Sequence, residues 1–385
     1  MEENKELDDI IEETKSDKRP FFSIIIPCYN TPLDYMKALL FSIANGGCSD
    51  ELEVIIADGR STDTSYQEEV KKFEEESGIL VKIVTMVDKN EDGIELVNCP
   101  GNTREYGVKN ATGEWITFID HDDIFDGDVF TKVKNAIEEN NEQYLVCSNI
   151  LQIDPYTNEI IQEIRYSTNW MHGKFYNRRN LWEDYNFHFK KNLVSNEDIY
   201  ISNKLHCILH NLGKEQVLWL PDYTYIWRAW MDSTSHKKYS DELSYMEYYF
   251  YDYISATYDI HNEEYDKLVS NGIKLSDEDK KFYTEMQVDA LLFQYFYLQS
   301  FKYSNPTWLK EYEDTVKNNI KKFYEKYNVD VDYFYNAVRK ELDNDDIREG
   351  GFITKIWYNS VRYSVTISCG NFIETDSFID FIQNL

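Results

Sequence analysis

The chain alternates short β-branched runs with amphipathic stretches, and that alternation constrains its fold more than any other feature. Phe22-Ser23-Ile24-Ile25-Ile26-Pro27 is a run of the kind buried on both faces of a parallel sheet. A helical pattern follows from Leu33 to Ala44 and stops at Asn45-Gly46-Gly47. Leu52 to Ala57 reads as a second strand ending at Asp58-Gly59, residues 63–76 as an acidic amphipathic helix, and Ile79 to Val87 as a third strand. A helix over Asn102 to Asn110 leads into a buried strand, Glu114 to Ile119; a helix from Asp128 to Glu139 and a strand from Tyr144 to Ile150 continue the order. Strand, helix, strand, repeated, predicts an α/β domain with a mostly parallel open sheet flanked by helices. Ligands of such sheets sit beyond the carboxyl ends of the strands. Cys28-Tyr29-Asn30, Asp58-Gly59 and Asp120-His121-Asp122 all fall at such ends.

The 385 residues exceed one ordinary core. Residues 1–20 read as a charged arm, 21–240 as the α/β domain and 241–385 as a mainly helical, aromatic-rich domain. In that last part Ser276-Asp277-Glu278-Asp279 resembles a capping box, Asn305-Pro306 opens a further helix, and Asp330 to Leu342 a third. Phe352 to Ser368 fits strands or a helix. The C-terminal domain is a candidate for gating an acceptor site, for partner binding or for self-association into a homo-oligomer.

With 70 acidic against 40 basic residues, the formal charge is −30. Such a field repels phosphate backbones and anionic membrane surfaces. It leaves room for an anionic small substrate where a divalent cation supplies local positive charge. Six scattered cysteines without a CxxC spacing read as free thiols of a reducing compartment. No apolar stretch approaches the roughly 20 residues of a membrane helix, and the charged N-terminus lacks a signal peptide's apolar region. The expectation is a soluble, cytoplasmic protein.

The acidic run Asp120-His121-Asp122-Asp123 carries the chemistry. On an extended chain, residues two apart share a face, so Asp120 and Asp122 can address one ligand. Carboxylates with phosphate oxygens suit Mg²⁺ or Mn²⁺, and the ion offsets charge developing on a diphosphate leaving group. The competing reading is a turn that caps the following helix.

Four blocks, in order and spacing, resemble the family 2 glycosyltransferases of the GT-A (Rossmann-like) fold. They are the Ser23–Asn30 strand with its Pro-x-Tyr-Asn end; Val54 to Asp63 with an Asp-Gly-x-Ser-x-Asp turn; Asn102-Thr103-Arg104 to Gly107; and Ala111 to Asp123. The resemblance implies an inverting transferase using a nucleotide-sugar donor, UDP-linked, and an acceptor hydroxyl, foremost that of a glycan. Asp58 would then contact the nucleotide, beside a pocket formed by Pro27, Tyr29 and Asn30. Asp120 and His121 would lie against the donor, Asp122 would ligate the metal, and Arg104 would pair with an acid of the pocket or with the donor. Ser195-Asn196-Glu197-Asp198 resembles the family's Glu-Asp segment, which makes Asp198 the first choice for general base and Glu197 the second. Its competing role is a helix start favoured by acids.

Arg228 and the turn Ser233-Thr234-Ser235-His236 resemble a later segment that closes over the diphosphate, with Arg228 neutralising phosphate. Many relatives place His two residues after that Arg, where this chain has Trp230, so His236 becomes a candidate metal ligand alongside Asp120 and Asp122. Ala57, Arg60 and Glu105 also depart from the pattern. Other readings stay open: transfer to a protein side chain or a hydroxylated nucleobase, or a sugar-nucleotide-binding module without turnover. The charge disfavours a nucleic-acid acceptor, yet Lys174, Arg178, Arg179, Lys190 and Lys191 form a basic, aromatic-rich stretch that reads either as a patch for one or as a loop packed on the sheet.

Overall fold

The structure, a computed structural model, describes residues 19–140, 143–165, 171–211, 217–231, 259–260, 262–280, 282–283 and a few single positions between 310 and 325. They fall into two compact units. One comprises the residues up to Val194 together with Leu212–Trp230; the other comprises Ser195–Asn211 and the residues from Met231 onward.

The first unit holds one nine-stranded sheet: β1 (Phe22–Cys28), β2 (Leu52–Asp58), β3 (Leu80–Thr85), β4 (Trp115–Phe118), β5 (Ile124–Phe125), β6 (Leu145–Ile153), β7 (Ile160–Ile164), β8 (Lys174–Asn177) and β9 (Val217–Arg228). The order is β3-β2-β1-β4-β8-β6-β9-β5, with β7 hairpinned onto β6. From β3 to β4 all neighbours are parallel. Beyond β4 the sheet becomes mixed: β8 runs antiparallel to both β4 and β6, and β6 and β9 are parallel again.

Every residue of β1 and β2 is buried, which is why neither shows polar–apolar alternation. One face of the sheet takes α1 (Leu33–Ala44), α2 (Tyr66–Ser77) and α4 (Val129–Glu139). Helix α1 turns Met36, Leu39, Leu40 and Ile43 inward at three- and four-residue spacing, into a core with Ile24, Ile26, Val54, Ile56 and Phe130. The other face takes α3 (Pro100–Asn110), which starts on a proline, a residue suited to the first helical turn. A Cβ on Gly107 would lie 2.5 Å from Ile25 Cγ2 and 3.3 Å from Ala57 Cβ. The helix therefore sits close on β1 and β2, and the fully buried Ala57 lies at this contact, where a longer side chain would collide.

Residues 172–191 join the sheet and its core instead of forming a loop over it. Tyr176, Trp182, Phe187 and Phe189 are buried and pack edge-to-face in a series reaching Phe118, while Phe175, also buried, packs against Phe22 and Phe130. Lys174 is 1% exposed, so it belongs to no surface basic patch. Lys191 pairs with Asp92 across 3.5 Å, and Arg178 with Glu183 across 3.0 Å. The described cysteines are free thiols, four of them buried, and among the described residues no helix is long and apolar enough to cross a membrane.

The second unit contains α5 (Glu197–Asn211) and helical residues 262–270 and 277–280. Ser276 Oγ accepts from Asp279 N (3.0 Å) while Asp279 Oδ2 accepts from Ser276 N (2.8 Å), the reciprocal pair of a capping box. The His210 ring stacks on Phe282 with centroids 3.7 Å apart and its Nε2 lies 3.1 Å from Asp279 Oδ1. Of the helix expected to open at Asn305-Pro306, the described positions 310, 314, 318, 321, 322 and 325 are helical; the other readings for 284–385 lie outside the described residues.

Glu53, the second residue of the buried strand β2, is a charge without exposure. It accepts from Ser23 Oγ (2.6 Å), Gly113 N (3.0 Å) and Thr112 Oγ1 (2.9 Å) and pairs with Lys82 (2.7 Å), tying β1, β2 and β3 to the turn before β4. Burial acts to raise its pKa, yet Lys82, Ser23 and Thr112 together hold it below the usual value of 4.5. A depressed carboxylate stabilises the fold above its unfolded pKa, and that contribution is lost as pH falls through the folded value. Glu53→Gln should therefore cost about 3 kcal/mol at neutral pH. The gap in Tm between wild type and variant should close as the pH is taken below about 4, which thermal unfolding across pH will measure.

Candidate active site at the end of the central strand

Strand β4 ends at Phe118 and the chain turns at once, with Asp123 N donating to Asp120 O at 3.0 Å. This turn, and not strand alternation, gathers the acids: carboxylate oxygens of Asp120, Asp122 and Asp123 all lie within 4.8 Å of one another. None of them caps a helix, since α4 begins only at Val129, preceded by Asp128.

Each acid meets a different environment. Arg104 Nη2 bonds Asp120 Oδ1 at 2.5 Å, and His172 Nε2 lies 3.3 Å from Oδ2. Burial alone would raise the Asp120 pKa, but Arg104 and then His172 outweigh it and hold the group far below the usual range. Asp123 Oδ2 accepts from the Tyr225 hydroxyl at 2.5 Å and Oδ1 from Arg228 N at 2.8 Å. Even so, burial and the charges of Asp122 and Asp120 push its pKa well up. Asp122 is also pushed up, by burial and then by Asp120, against the lowering charges of His121 and Arg228. Its carbonyl, not its carboxylate, takes the protein's strong donors: Arg228 Nε and, at 3.1 Å, Trp230 Nε1. Crowded, desolvated carboxylate oxygens of this kind fit a hard divalent cation.

The neighbouring strand ends supply the rest. His121 Nδ1 lies 3.2 Å from Pro27 O, joining the turn to the end of β1. Tyr29 is half exposed. Asn30, in the left-handed region at φ 49°, accepts on Oδ1 from Thr62 N (2.8 Å) and Asp63 N (3.0 Å). Asp58, buried at the end of β2, accepts from Ser61 N at 3.1 Å and from the Ser61 hydroxyl. Arg60 has φ 66° and reaches Asp88 and, at 3.0 Å, Leu96 O, fastening the stretch after β3 to this turn. Glu105 receives His188 Nδ1 at 2.6 Å and Phe189 N at 3.2 Å, so it anchors residues 188–189 to α3. Arg228 Nη2 is buried and has no hydrogen-bond partner among the described residues.

Asp198 and Glu197 occupy the first turn of α5, in the second unit, where Asn196 O accepts from Tyr200 N. His236 lies outside the described residues. Sequence reasoning passed over His172, Tyr225 and the holding role of Asp123, because their contacts span 52 to 105 residues and follow no motif. The departure at Trp230 was the one visible signal.

Residues 23–195 match the family model of glycosyl transferase family 2. Among curated relatives, a 126-residue stretch is 30% identical to poly(ribitol-phosphate) beta-N-acetylglucosaminyltransferase TarS of Staphylococcus aureus, covering 32% of this chain and 20% of TarS. A 121-residue stretch is 31% identical to poly(ribitol-phosphate) beta-glucosyltransferase of Bacillus spizizenii, covering 31% and 17%. The chain thus spans about a fifth of the length of these relatives. The crystal structure of S. aureus TarS 1–349 in complex with UDP-GlcNAc shares the fold, with a TM-score of 0.50 and 18% identity over 80% of this chain and 91% of that one. The sheet and its flanking helices are those of the GT-A fold.

Tyr225→Phe isolates the hydroxyl that donates to Asp123. It should lower stability by about 1–3 kcal/mol without disturbing the sheet, giving a lower Tm with an unchanged far-ultraviolet spectrum.

Proposed function

We propose that the chain is a glycosyltransferase that moves a sugar from a nucleoside-diphosphate sugar, UDP-linked, to an acceptor hydroxyl by a single displacement with inversion. The observation that carries this reading is the asymmetry of the acidic turn. Asp123 accepts from protein donors on both oxygens and Asp120 pairs with Arg104 beside the His172 ring, while the donors at Asp122 go to its carbonyl and its carboxylate faces its neighbours' charge. Asp122 is accordingly the residue to hold Mn²⁺ or Mg²⁺, with Asp120 beside it. When bound, the cation would supply the charge that stabilises a departing diphosphate.

The chain's own groups divide the remaining work. Arg228, with a buried nitrogen free of hydrogen bonds among the described residues, suits a phosphate oxygen. In this reading Asp58 and the Pro27–Asn30 strand end bind the nucleoside, and Asp120, between Arg104 and His172, accepts from its ribose. His121, tied to Pro27, keeps the strand end and the acidic turn in one register. Asp198, or Glu197 next to it, takes the proton of the acceptor hydroxyl as its oxygen bonds to the anomeric carbon and the bond to diphosphate breaks. The relatives' names, which specify poly(ribitol-phosphate) as acceptor, favour a glycan or polyol chain.

A panel of sugar nucleotides tested with Mn²⁺ or EDTA will decide. One donor should release nucleoside diphosphate only with metal, and Asp122→Asn should reduce that release to the EDTA background. With acceptor present, Asp198→Asn should lower kcat by about 10²–10⁴-fold. If no donor is turned over but one raises the Tm, the chain is a sugar-nucleotide-binding module without turnover; if none does either, the reading fails.

A further inference from the structure

The indole of Trp230 sits against the acidic turn. Strand β9 ends at Arg228, and Ala229 N then bonds Ile153 O at 3.0 Å, anchoring the strand end to β6. A tight turn follows, with Trp230 N donating to Arg228 O at 2.8 Å, and Trp230 Nε1 donates to Asp122 O at 3.1 Å. Arg228 Nε donates to the same oxygen. Two N–H donors use both lone pairs of that carbonyl, so the Asp122 peptide plane is fixed from two sides.

The donors are themselves immobilised. The Trp230 ring stacks on Tyr35 of α1 with centroids 4.5 Å apart and planes at 27°. Tyr156, in the turn between β6 and β7, meets its edge at 5.4 Å. The Arg228 guanidinium lies over both the Tyr35 ring (5.6 Å) and the Trp230 ring (5.3 Å). Helix α1 and the β6–β7 turn therefore brace the two donors from the end of β9 that meet on the Asp122 carbonyl.

We propose that Trp230 is a positioning residue for Asp122. It ligates nothing itself; by fixing the Asp122 peptide it aims the carboxylate and sets how tightly a divalent cation is held. The inference rests on the reading of Asp122 as the metal-holding acid. A ligand has to be held within about 0.5 Å of productive geometry, and a single long arginine cannot do that unaided. Removing the indole N–H leaves the carbonyl on Arg228 alone and lets the turn rock.

Trp230→Phe tests this, because it deletes the donor while keeping a smaller aromatic ring for Tyr35 and Arg228. Mn²⁺ binding is read by loss of the free-ion electron paramagnetic resonance signal on titrating full-length protein in the presence of UDP. The expected result is a dissociation constant for Mn²⁺ about 10-fold weaker than wild type, with the Tm within a few degrees. Turnover should show the same shift in half-saturating Mn²⁺, while kcat and donor KM at saturating Mn²⁺ stay near wild type. Tyr35→Leu keeps the donor but removes its support, and should weaken Mn²⁺ about threefold. It stands in if the first variant fails to fold. Wild-type Mn²⁺ affinity in the folded variants overturns the proposal. A wild-type protein that binds no Mn²⁺ overturns the metal reading beneath it.

Discussion

Three carboxylates whose oxygens lie within 4.8 Å of one another repel, and the turn that carries them is half withdrawn from water. The fold answers that repulsion unevenly. Asp123 is held by a phenol and a backbone amide, and Asp120 by a guanidinium and an imidazole. Asp122 receives its strong donors on the carbonyl instead. Only Asp120 is held firmly as an anion; Asp123 and Asp122 both stay pushed up by burial and by their neighbours' charges. An electrostatic cost of this kind is retained where something of opposite charge arrives to offset it.

The sheet is arranged to deliver those donors. Helix α3 can place Arg104 under Asp120 because Gly107 lets it lie directly on Ile25 and Ala57. His172 reaches Asp120 because the short strand β8 inserts between β4 and β6, preceded by Gly173 at φ 65°. Tyr225, Arg228 and Trp230 reach the turn from β9 and its end, two strands further across the sheet. A two-residue pairing of β5 with β9 closes the far side of the turn. The buried Glu53 does comparable work at the opposite ends of the strands, where it satisfies the amide of Gly113 before β4 starts.

The parallel half of the sheet was legible because strands buried on both faces read as unbroken apolar runs; α1 was read to its observed limits, Leu33 and Ala44. Strand β8 was not legible: Lys-Phe-Tyr-Asn is four residues long, opens with a charge and shows no period. The acids of the turn were legible by type and position, but the reason they converge was not. An extended-chain argument places Asp120 and Asp122 on one face, whereas a hydrogen-bonded turn brings in Asp123 as well. His172 was hidden because its value lies in a contact across 52 residues. Trp230 could be seen to depart from a pattern, but only coordinates show its ring nitrogen on Asp122 O.

The central claim is that the acidic turn binds a nucleoside diphosphate and a divalent cation together, through Asp122. Titration calorimetry of UDP into the protein, with and without Mn²⁺, tests it most directly. The account predicts that Mn²⁺ tightens UDP binding at least 10-fold in wild type, which is at least about 1.4 kcal/mol of coupling, and that Asp122→Asn removes the difference. Equal UDP affinity with and without Mn²⁺, or an undiminished metal effect in Asp122→Asn, would contradict it.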